Sequence, residues 1–276
     1  NKVDLVRQDE ALAQYLDIVR YTQTTAACGS PIIPVSAQKS YNIAYVVQHI
    51  VETIPVPIRD YTANPKMIVI RSFDINKPGD DVRELKGGVA GGSIICGCIK
   101  VGDEIEIRPG HYENNKCYIR RARILSLKTE KNDLQLAVPG GLIGIGTSLD
   151  PTLCRADRLT GQVIGRPGCL PDIYIRLQIH YTLFNRLLGV MQTNQTTDTR
   201  IEPLQIREVL LVNVGSTSTG GLITGLTPKF AHLQLLKPVC TTVGERIAIS
   251  RKLNGNWRLI GWGRILRGDK VNPIEP

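Results

Sequence analysis

The first four residues, Asn1-Lys2-Val3-Asp4, place an amide, an ammonium and a carboxylate next to one another. An amide and a carboxylate together offer donors and acceptors to the edge of a flat heterocycle, and a lysine stem can cover its face. A second polar set follows in Pro34-Val35-Ser36-Ala37-Gln38. Glycines gather in two places, after Lys86 (Gly87, Gly88, Gly91, Gly92) and in Pro139 to Gly146 (Gly140, Gly141, Gly144, Gly146). With no side chain, they let a ligand come close to the backbone. Arg251, Lys252, Arg258, Arg264 and Arg267 crowd a short span, which suits phosphates and gives salt-dependent affinity without sequence reading.

Other residue types point away from chemistry. His49, His111, His180 and His232 have no metal-ligand spacing and no partnered nucleophile. Seven cysteines without a CxxC pair argue against a zinc knuckle or a disulfide framework, and fit a reducing cytosol. Cys96 and Cys98 alternate with apolar residues, which predicts one shared strand face. Trp257 and Trp262 could stack on a base, but five apart in a barrel they favour packing at its core and corner. The sequon Asn194-Gln195-Thr196 would go unmodified in a cytosolic chain. No run of about 18 apolar residues is present, so no membrane span is expected.

These groups need elements to hold them. Leu12, Leu16 and Val19 have helical spacing, then comes the apolar run Ile32-Ile33-Pro34-Val35, then a second helical stretch with Ile43, Val46, Val47, Ile50 and Ile54 on one face. Ser40 or Asn42 is its expected N-cap. Helix, strand, helix is a piece of an α/β layer. Pro55-Val56-Pro57 ends it, and Tyr61 to Lys66 reads as a linker. Beyond it come short strand-like runs punctuated by glycine: Met67 to Ile75, Ser93 to Ile99, Glu104 to Ile107, Leu125 to Leu127, Leu134 to Val138 and Leu142 to Gly146. A second group holds Ile173 to Ile179, Glu208 to Val214, Leu233 to Leu236, Arg246 to Ser250 and Trp257 to Arg264. A break at Gly165-Arg166-Pro167-Gly168 gives segments 1–60, 61–166 and 167–276. Gln192 to Arg200 is polar and is expected to be a mobile loop.

Charge follows the same division. Residues 1–60 hold 5 Lys/Arg against 6 Asp/Glu, residues 61–166 hold 16 against 12, and residues 167–276 hold 13 against 7. The chain's formal charge of +9 therefore resides in the strand-rich part, as a polyanionic partner would require.

The Asn1-Lys2-Val3-Asp4 and Ser36-Ala37-Gln38 sets, in this order and with a helix between them, resemble the two guanine-specificity loops of G proteins. The resemblance implies a guanine site on Asn1, Lys2, Asp4, Ser36, Ala37 and Gln38. Asp4 would accept from the ring N–H and the exocyclic amine, and backbone N–H groups would face O6. No G-x-x-x-x-G-K-[ST] loop or D-x-x-G switch is present, and Gly87 to Gly92 leads into a strand. The expectation is a chain that starts partway through a P-loop G domain and has no catalytic residue of its own. The expected fold is thus an α/β fragment, the C-terminal part of that G domain, followed by two all-β barrels.

The blocks VIRSFDINKPG (Val69 to Gly79), LKGGVAGGSI (Leu85 to Ile94), KVGDEIEIRPG (Lys100 to Gly110), Pro139 to Gly165, GERIAISR (Gly244 to Arg251) and WRLIGWGRI (Trp257 to Ile265) carry a closer resemblance. They are similar to the gamma subunit of eukaryotic and archaeal translation initiation factor 2, in the translational GTPase superfamily of elongation factor Tu. His111 to Tyr118 is shorter than in the eukaryotic members, and Gln192 to Pro203 has its own sequence.

This resemblance implies a GTP-binding core subunit, with Mg2+, that carries methionylated initiator tRNA to the small ribosomal subunit in the cytoplasm. Its partners would be alpha and beta subunits and activating and exchange factors, with no membrane. Alpha is expected at the loop Asp74 to Lys86 and beta on the helices within residues 5–54. Lys86 to Gly92 and Pro139 to Gly146 align with the part of elongation factor Tu that receives the terminal adenosine and amino acid. Arg251, Lys252, Arg258, Arg264 and Arg267 would meet acceptor-stem phosphates, and charge reversal at Arg251 and Lys252 is expected to weaken binding without shifting the melting temperature. Alone, this chain is expected neither to bind GTP tightly nor to hydrolyse it. The rival readings are a selenocysteine-specific elongation factor and a double-barrel interaction scaffold without nucleotide function.

Overall fold

Alternation of apolar and polar residues dominates the chain from residue 66 onward, and in the computed structural model it produces two β-barrels. The structure describes residues 1–79, 81, 83, 85–185, 187 and 200–275. Gln192 to Thr199, with the sequon, lies outside them, as do Asp80, Val82 and Glu84 of the loop expected to meet alpha.

Residues 1–58 form one unit. It contains helices α1 (Gln8–Thr22) and α2 (Ile43–Thr53) and a single 3-10 turn at Val3–Leu5. Glu10 reaches back to the backbone N–H of Arg7 at 3.3 Å, which closes the start of α1. Asn42 is the N-cap residue of α2, but its side chain donates to the Pro34 carbonyl at 2.9 Å instead of capping the helix. Ile32 to Val35 is extended without a ladder, because a strand needs a neighbour to pair with; its one contact of that kind is the Val3 N–H donating to the Val35 carbonyl at 3.3 Å. Neither helix has a buried residue.

Residues 59–276 form the second unit. In its first barrel the strands are β1 (Lys66–Phe73), β2 (Val89–Cys96), β3 (Ile99–Lys100), β4 (Glu104–Glu113), β5 (Lys116–Thr129), β6 (Asn132–Leu134), β7 (Leu136–Ala137), β8 (Ile143–Thr147) and β9 (Val163–Gly165). The ring runs β5-β4-β9-β1-β2-β8 and is closed by β5 pairing with β8; β6 adds to β5, and β3 pairs with β7. The inward side chains, among them Met67, Val69, Ile94, Ile105, Ile107, Ile124 and Ile145, fill it. At the usual ~25 cal/mol per Å² of apolar surface, each such Ile or Met contributes about 1.5–3 kcal/mol.

The second barrel closes in the order β10-β13-β12-β11-β14-β15, from β10 (Ile173–Leu183), β11 (Val209–Val214), β12 (Thr217–Leu226), β13 (Phe230–Cys240), β14 (Arg246–Leu253) and β15 (Asn256–Val271). Strand β12 was not expected, because its sequence is rich in Thr and Gly. A Cβ at Gly220 would meet Leu236 at 2.5 Å and one at Gly221 would meet Val212 at 2.9 Å, so close packing of neighbours accounts for both glycines. Gly97, at φ +68, bends the chain between Cys96 and Cys98. The two thiols therefore do not share a strand; they donate to the Asn64 and Tyr61 carbonyls.

The two barrels are joined by a third apolar cluster holding Cys117, Ile119, Val163, Leu170, Ile173 and Cys240. Beside it lies an ion pair, Glu106–Arg108, whose side chains are 1% and 11% exposed. Arg108 also donates to the Leu170 and Pro171 carbonyls at 3.0 Å, and Glu106 accepts from the Gly168 N–H at 3.0 Å. The connection between the barrels is thus fixed by buried charge-assisted bonds. After β15 the chain returns to the first barrel, where β16 (Pro273–Ile274) pairs in parallel with β5.

Candidate functional site

In the first unit, the two polar loops converge. The Ala37 N–H donates to Asn1 Oδ1 at 3.2 Å, and the buried Ser36 hydroxyl donates to Asp4 Oδ1. Ser36 Oγ also accepts from the Lys39 N–H at 3.3 Å. The Ser36 hydroxyl beside Asp4 holds its carboxyl below the usual 3.8, so Asp4 is an anion at neutral pH. Lys2 holds a left-handed backbone, φ 67. The sequence reading gave Asn1 a direct role on the base edge. In the structure its Oδ1 is occupied by the Ala37 and Lys2 N–H groups, so it also positions the second loop. Gln38 is exposed, without a side-chain hydrogen bond. Asn1, Asp4, Ser36 and Ala37 thus form one polar cluster in which the two loops are held side by side.

On the first barrel, β1, β2, β8 and β5 form the floor of a groove of about 900 Å³. One cross-strand row runs Arg71–Gly91–Gly144–Lys128, and the next on the same face runs Phe73–Val89–Gly146–Ser126. In the first row two adjacent strands present glycine where their outer neighbours present long side chains, and in the second β8 again presents glycine, Gly146; these low points form the groove. Its walls are mainly apolar, with Phe73, Ile75, Leu85, Leu125 and Leu142 among them. Arg71 is paired with Asp157 at 3.0 Å and Lys128 with Asp133 at 2.8 Å. Lys86 has its backbone held on both sides by Asn76 at 2.7 Å, while its ammonium has no partner among the described residues.

Asp157 and Asp74 anchor the rim. The Ser72 N–H and then Arg71 hold the Asp157 carboxyl below 3.8; the Asn76 N–H and then Arg155, at 2.9 Å, do the same for Asp74.

Lys86, Gly87, Gly91, Gly92, Gly144 and Gly146 of the sequence-predicted set line this groove, and Gly88, Pro139, Gly140 and Gly141 do not. Nor are Gly87 to Gly92 turn glycines with positive φ: Gly91 and Gly92 lie within β2. A Cβ at Gly88 would sit 2.1 Å from the Sγ of Cys154, a thiol that burial pushes up to about 11, and Gly140 and Gly141 serve a turn at φ +116 and +65. Sequence reasoning missed Arg71, Phe73, Leu125 and Lys128. Their only signal is the outward phase of each strand, which becomes a site once the strands are in register.

On the second barrel, the basic residues divide. Arg251 is paired with Glu208 through two nitrogens and donates to the Glu202 carbonyl at 2.9 Å, its side chain only 13% exposed. Its charge is thus internal, and the expectation that reversing it leaves stability unchanged is corrected. Arg267 donates to Gln178. Lys252, Arg258 and Arg264 have no hydrogen-bond or ion-pair partner among the described residues, and Arg264 faces Arg246 directly across β14 and β15. Trp257 and Trp262 are not core residues: both are exposed, and the Arg246 guanidinium lies 5.5 Å from the Trp262 ring centroid. No group of three or more metal-ligating side chains occurs among the described residues, and no helix there is long and apolar enough to cross a membrane.

Comparison with known proteins follows these lines. Residues 175–265 match the family described as "Initiation factor eIF2 gamma, C terminal", and residues 87–165 match "Elongation factor Tu domain 2". "Eukaryotic translation initiation factor 2 subunit 3" of Drosophila melanogaster is 54% identical over 279 residues, 99% of this chain and 59% of that protein. "Eukaryotic translation initiation factor 2 subunit gamma" of Schizosaccharomyces pombe is 51% identical over 97% of this chain and 61% of its own length. The chain therefore spans about three-fifths of these relatives. Among solved structures, translation elongation factor SelB of Methanococcus maripaludis, in complex with a GTP analogue, superposes with a TM-score of 0.72 at 19% identity, over 99% of this chain and 58% of that one. A bacterial selenocysteine-specific elongation factor gives 0.70 at 16% identity, over 97% of this chain and 39% of that one. At such identities these two report the shared fold. Over nearly its whole length, the chain is similar in sequence to the gamma subunits of translation initiation factor 2.

Proposed function

We propose that this chain is the tRNA-holding part of a GTP-dependent initiation factor subunit, which carries methionylated initiator tRNA to the small ribosomal subunit in the cytoplasm. The observation that supports this most directly is the glycine-floored groove of the first barrel. An aminoacylated 3′ end is a flat base and a ribose ester with a side chain attached. The bare backbone at Gly91 and Gly144 admits such a group closely, and the apolar walls suit an uncharged side chain such as that of methionine. Lys86 supplies a positive charge for the terminal phosphates, and Lys252, Arg258 and Arg264 supply backbone contacts without base reading.

Guanine recognition falls to Asn1, Lys2, Asp4, Ser36, Ala37 and Gln38. In the whole protein the nucleotide would be GTP or GDP with Mg2+, and these loops would read its base while its phosphates supply most of the affinity, because phosphate contacts dominate nucleotide affinity in P-loop proteins. Hydrolysis is accordingly a property of the whole protein, and this chain alone is inactive. The proposed partners are the alpha and beta subunits and activating and exchange factors, with alpha at residues 74–86. A domain division at 1–60, 61–166 and 167–276 goes with this reading.

The test is crosslinking in a full-length protein from a photoreactive adenosine at the 3′ end of methionylated initiator tRNA. Adducts within residues 86–92 and 142–147 are expected; adducts confined to the second barrel would overturn the assignment.

A further inference from the structure

A second recess lies on the line where the two barrels meet. A cavity of about 640 Å³ is bounded by Pro109 to Tyr112 and Thr160 to Gln162 of the first barrel and by Ser216 to Ser218 and Leu236 to Pro238 of the second. A neighbouring cavity of about 420 Å³ shares Gly110, His111, Arg158 and Gln162 with it. Four basic side chains line the pair: Arg120 in the smaller cavity, Lys237 in the larger, and Arg158 and His111 in both. Among the described residues, no Asp or Glu lines either one.

The cations are not neutralised from within. Among the described residues, Arg120 and the Lys237 ammonium have no hydrogen-bond or ion-pair partner, and Arg158 makes one bond, to the Thr152 carbonyl at 3.2 Å. His111 has a carboxylate nearby, Glu113 at 3.6 Å. Ile107, Leu149 and Leu159 on the floor of the smaller cavity keep the local dielectric low, which strengthens any charge pairing there.

The walls are also pre-set. The Ser216 hydroxyl donates to the Val69 carbonyl at 2.8 Å and the Thr217 hydroxyl to the Gly161 carbonyl at 2.6 Å, binding the second barrel's β11–β12 turn to the first barrel. Gln162 accepts from the Gly110 N–H at 2.8 Å and donates back to its carbonyl at 3.3 Å. The donors of Ser216 and Thr217 are thereby used internally, which leaves recognition to the cations. A recess that gathers like charges on a fixed frame pays for their repulsion unless an anion joins them.

We propose that this inter-barrel recess binds a ligand carrying two or more linked phosphate groups. Arg158 stands where the cavities join, with Arg120 on one side and Lys237 on the other. One phosphate can occupy one cavity; two linked phosphates reach both and engage all three permanent cations. The fork of the guanidinium matches phosphate oxygens in pairs. This site is separate from the glycine-floored groove and does not depend on that groove's function.

The test is calorimetric titration of the 276-residue chain with inorganic pyrophosphate, with inorganic phosphate alongside. Saturable pyrophosphate binding at least about tenfold tighter than phosphate is expected, weakening with added salt. Arg158→Gln and, separately, Lys237→Gln each lower the affinity about tenfold or more, with an unchanged melting temperature in the absence of ligand. Lys86→Gln, in the groove, leaves it unchanged. No saturable binding, undiminished affinity in both recess variants, or an equal loss with Lys86→Gln would each overturn the proposal.

Discussion

Gly91 and Gly144 stand directly opposite each other on β2 and β8, in the middle of a row that ends in Arg71 and Lys128. Neither glycine is demanded by the barrel's own packing: a Cβ would come no closer than 3.7 Å to its neighbours, at ordinary φ. By contrast, a Cβ at Gly92 would lie 1.9 Å from the Ile68 carbonyl oxygen. Gly91→Ala is expected to leave stability unchanged or raise it by about 0.5–1 kcal/mol, since glycine is a poor strand residue. Gly92→Ala is expected to cost about 1–3 kcal/mol through the backbone shift it forces. In a full-length protein, Gly144→Val fills the groove and should weaken methionylated tRNA binding about tenfold or more, at an unchanged melting temperature. Thermal melts and filter binding separate the two effects, and undiminished tRNA binding by Gly144→Val would refute the groove's role.

Glu106 and Arg108 fix the connection between the barrels. Removing one partner leaves the other charge buried, so Glu106→Gln or Arg108→Met should destabilise the chain by about 3–5 kcal/mol. Replacing both with apolar residues of similar volume should recover much of this loss. Urea unfolding of the single and double variants measures the difference.

The Ser36–Asp4 bond makes a pH prediction. A depressed carboxylate pKa contributes stability that is present above its unfolded value of 3.8 and is lost as pH falls through the lower folded value. Ser36→Ala should bring the Asp4 titration back up toward 3.8, observed by carboxyl NMR. In a full-length protein, Asp4→Asn should shift base preference from guanine toward xanthine. A guanine affinity unchanged by that substitution would remove Asp4 from the site.

Arg251 and Lys252 are sequence neighbours with different fates. Arg251→Gln breaks a bidentate, mostly buried pair with Glu208 and should lower stability by about 2–4 kcal/mol. Lys252→Gln and Arg264→Gln should leave the melting temperature within about a degree, because surface substitutions change stability little. These two should instead flatten the salt dependence of RNA binding. Differential scanning fluorimetry and binding at two salt concentrations distinguish the groups.

Sequence alone was enough for the elements whose physics is local. The spacing of apolar residues marks the helices Gln8–Thr22 and Ile43–Thr53 by period 3.6 and the strands Lys66–Phe73 and Ile173–Leu183 by period 2. The order of the two polar loops also pointed to their meeting, and Asn1 and Asp4 do reach Ala37 and Ser36. Tertiary structure decided what depends on register and on neighbours distant in the chain. Thr217–Leu226 became a strand because its glycines fit against Leu236 and Val212. Arg251 became internal because Glu208 lies beside it, and Trp262 faced outward beneath Arg246. The groove itself exists only because closure of the barrel sets Gly91 against Gly144 between two longer neighbours. Composition and spacing say which residues can form strands, but a glycine on a strand becomes a site only through what the adjacent strands place beside it.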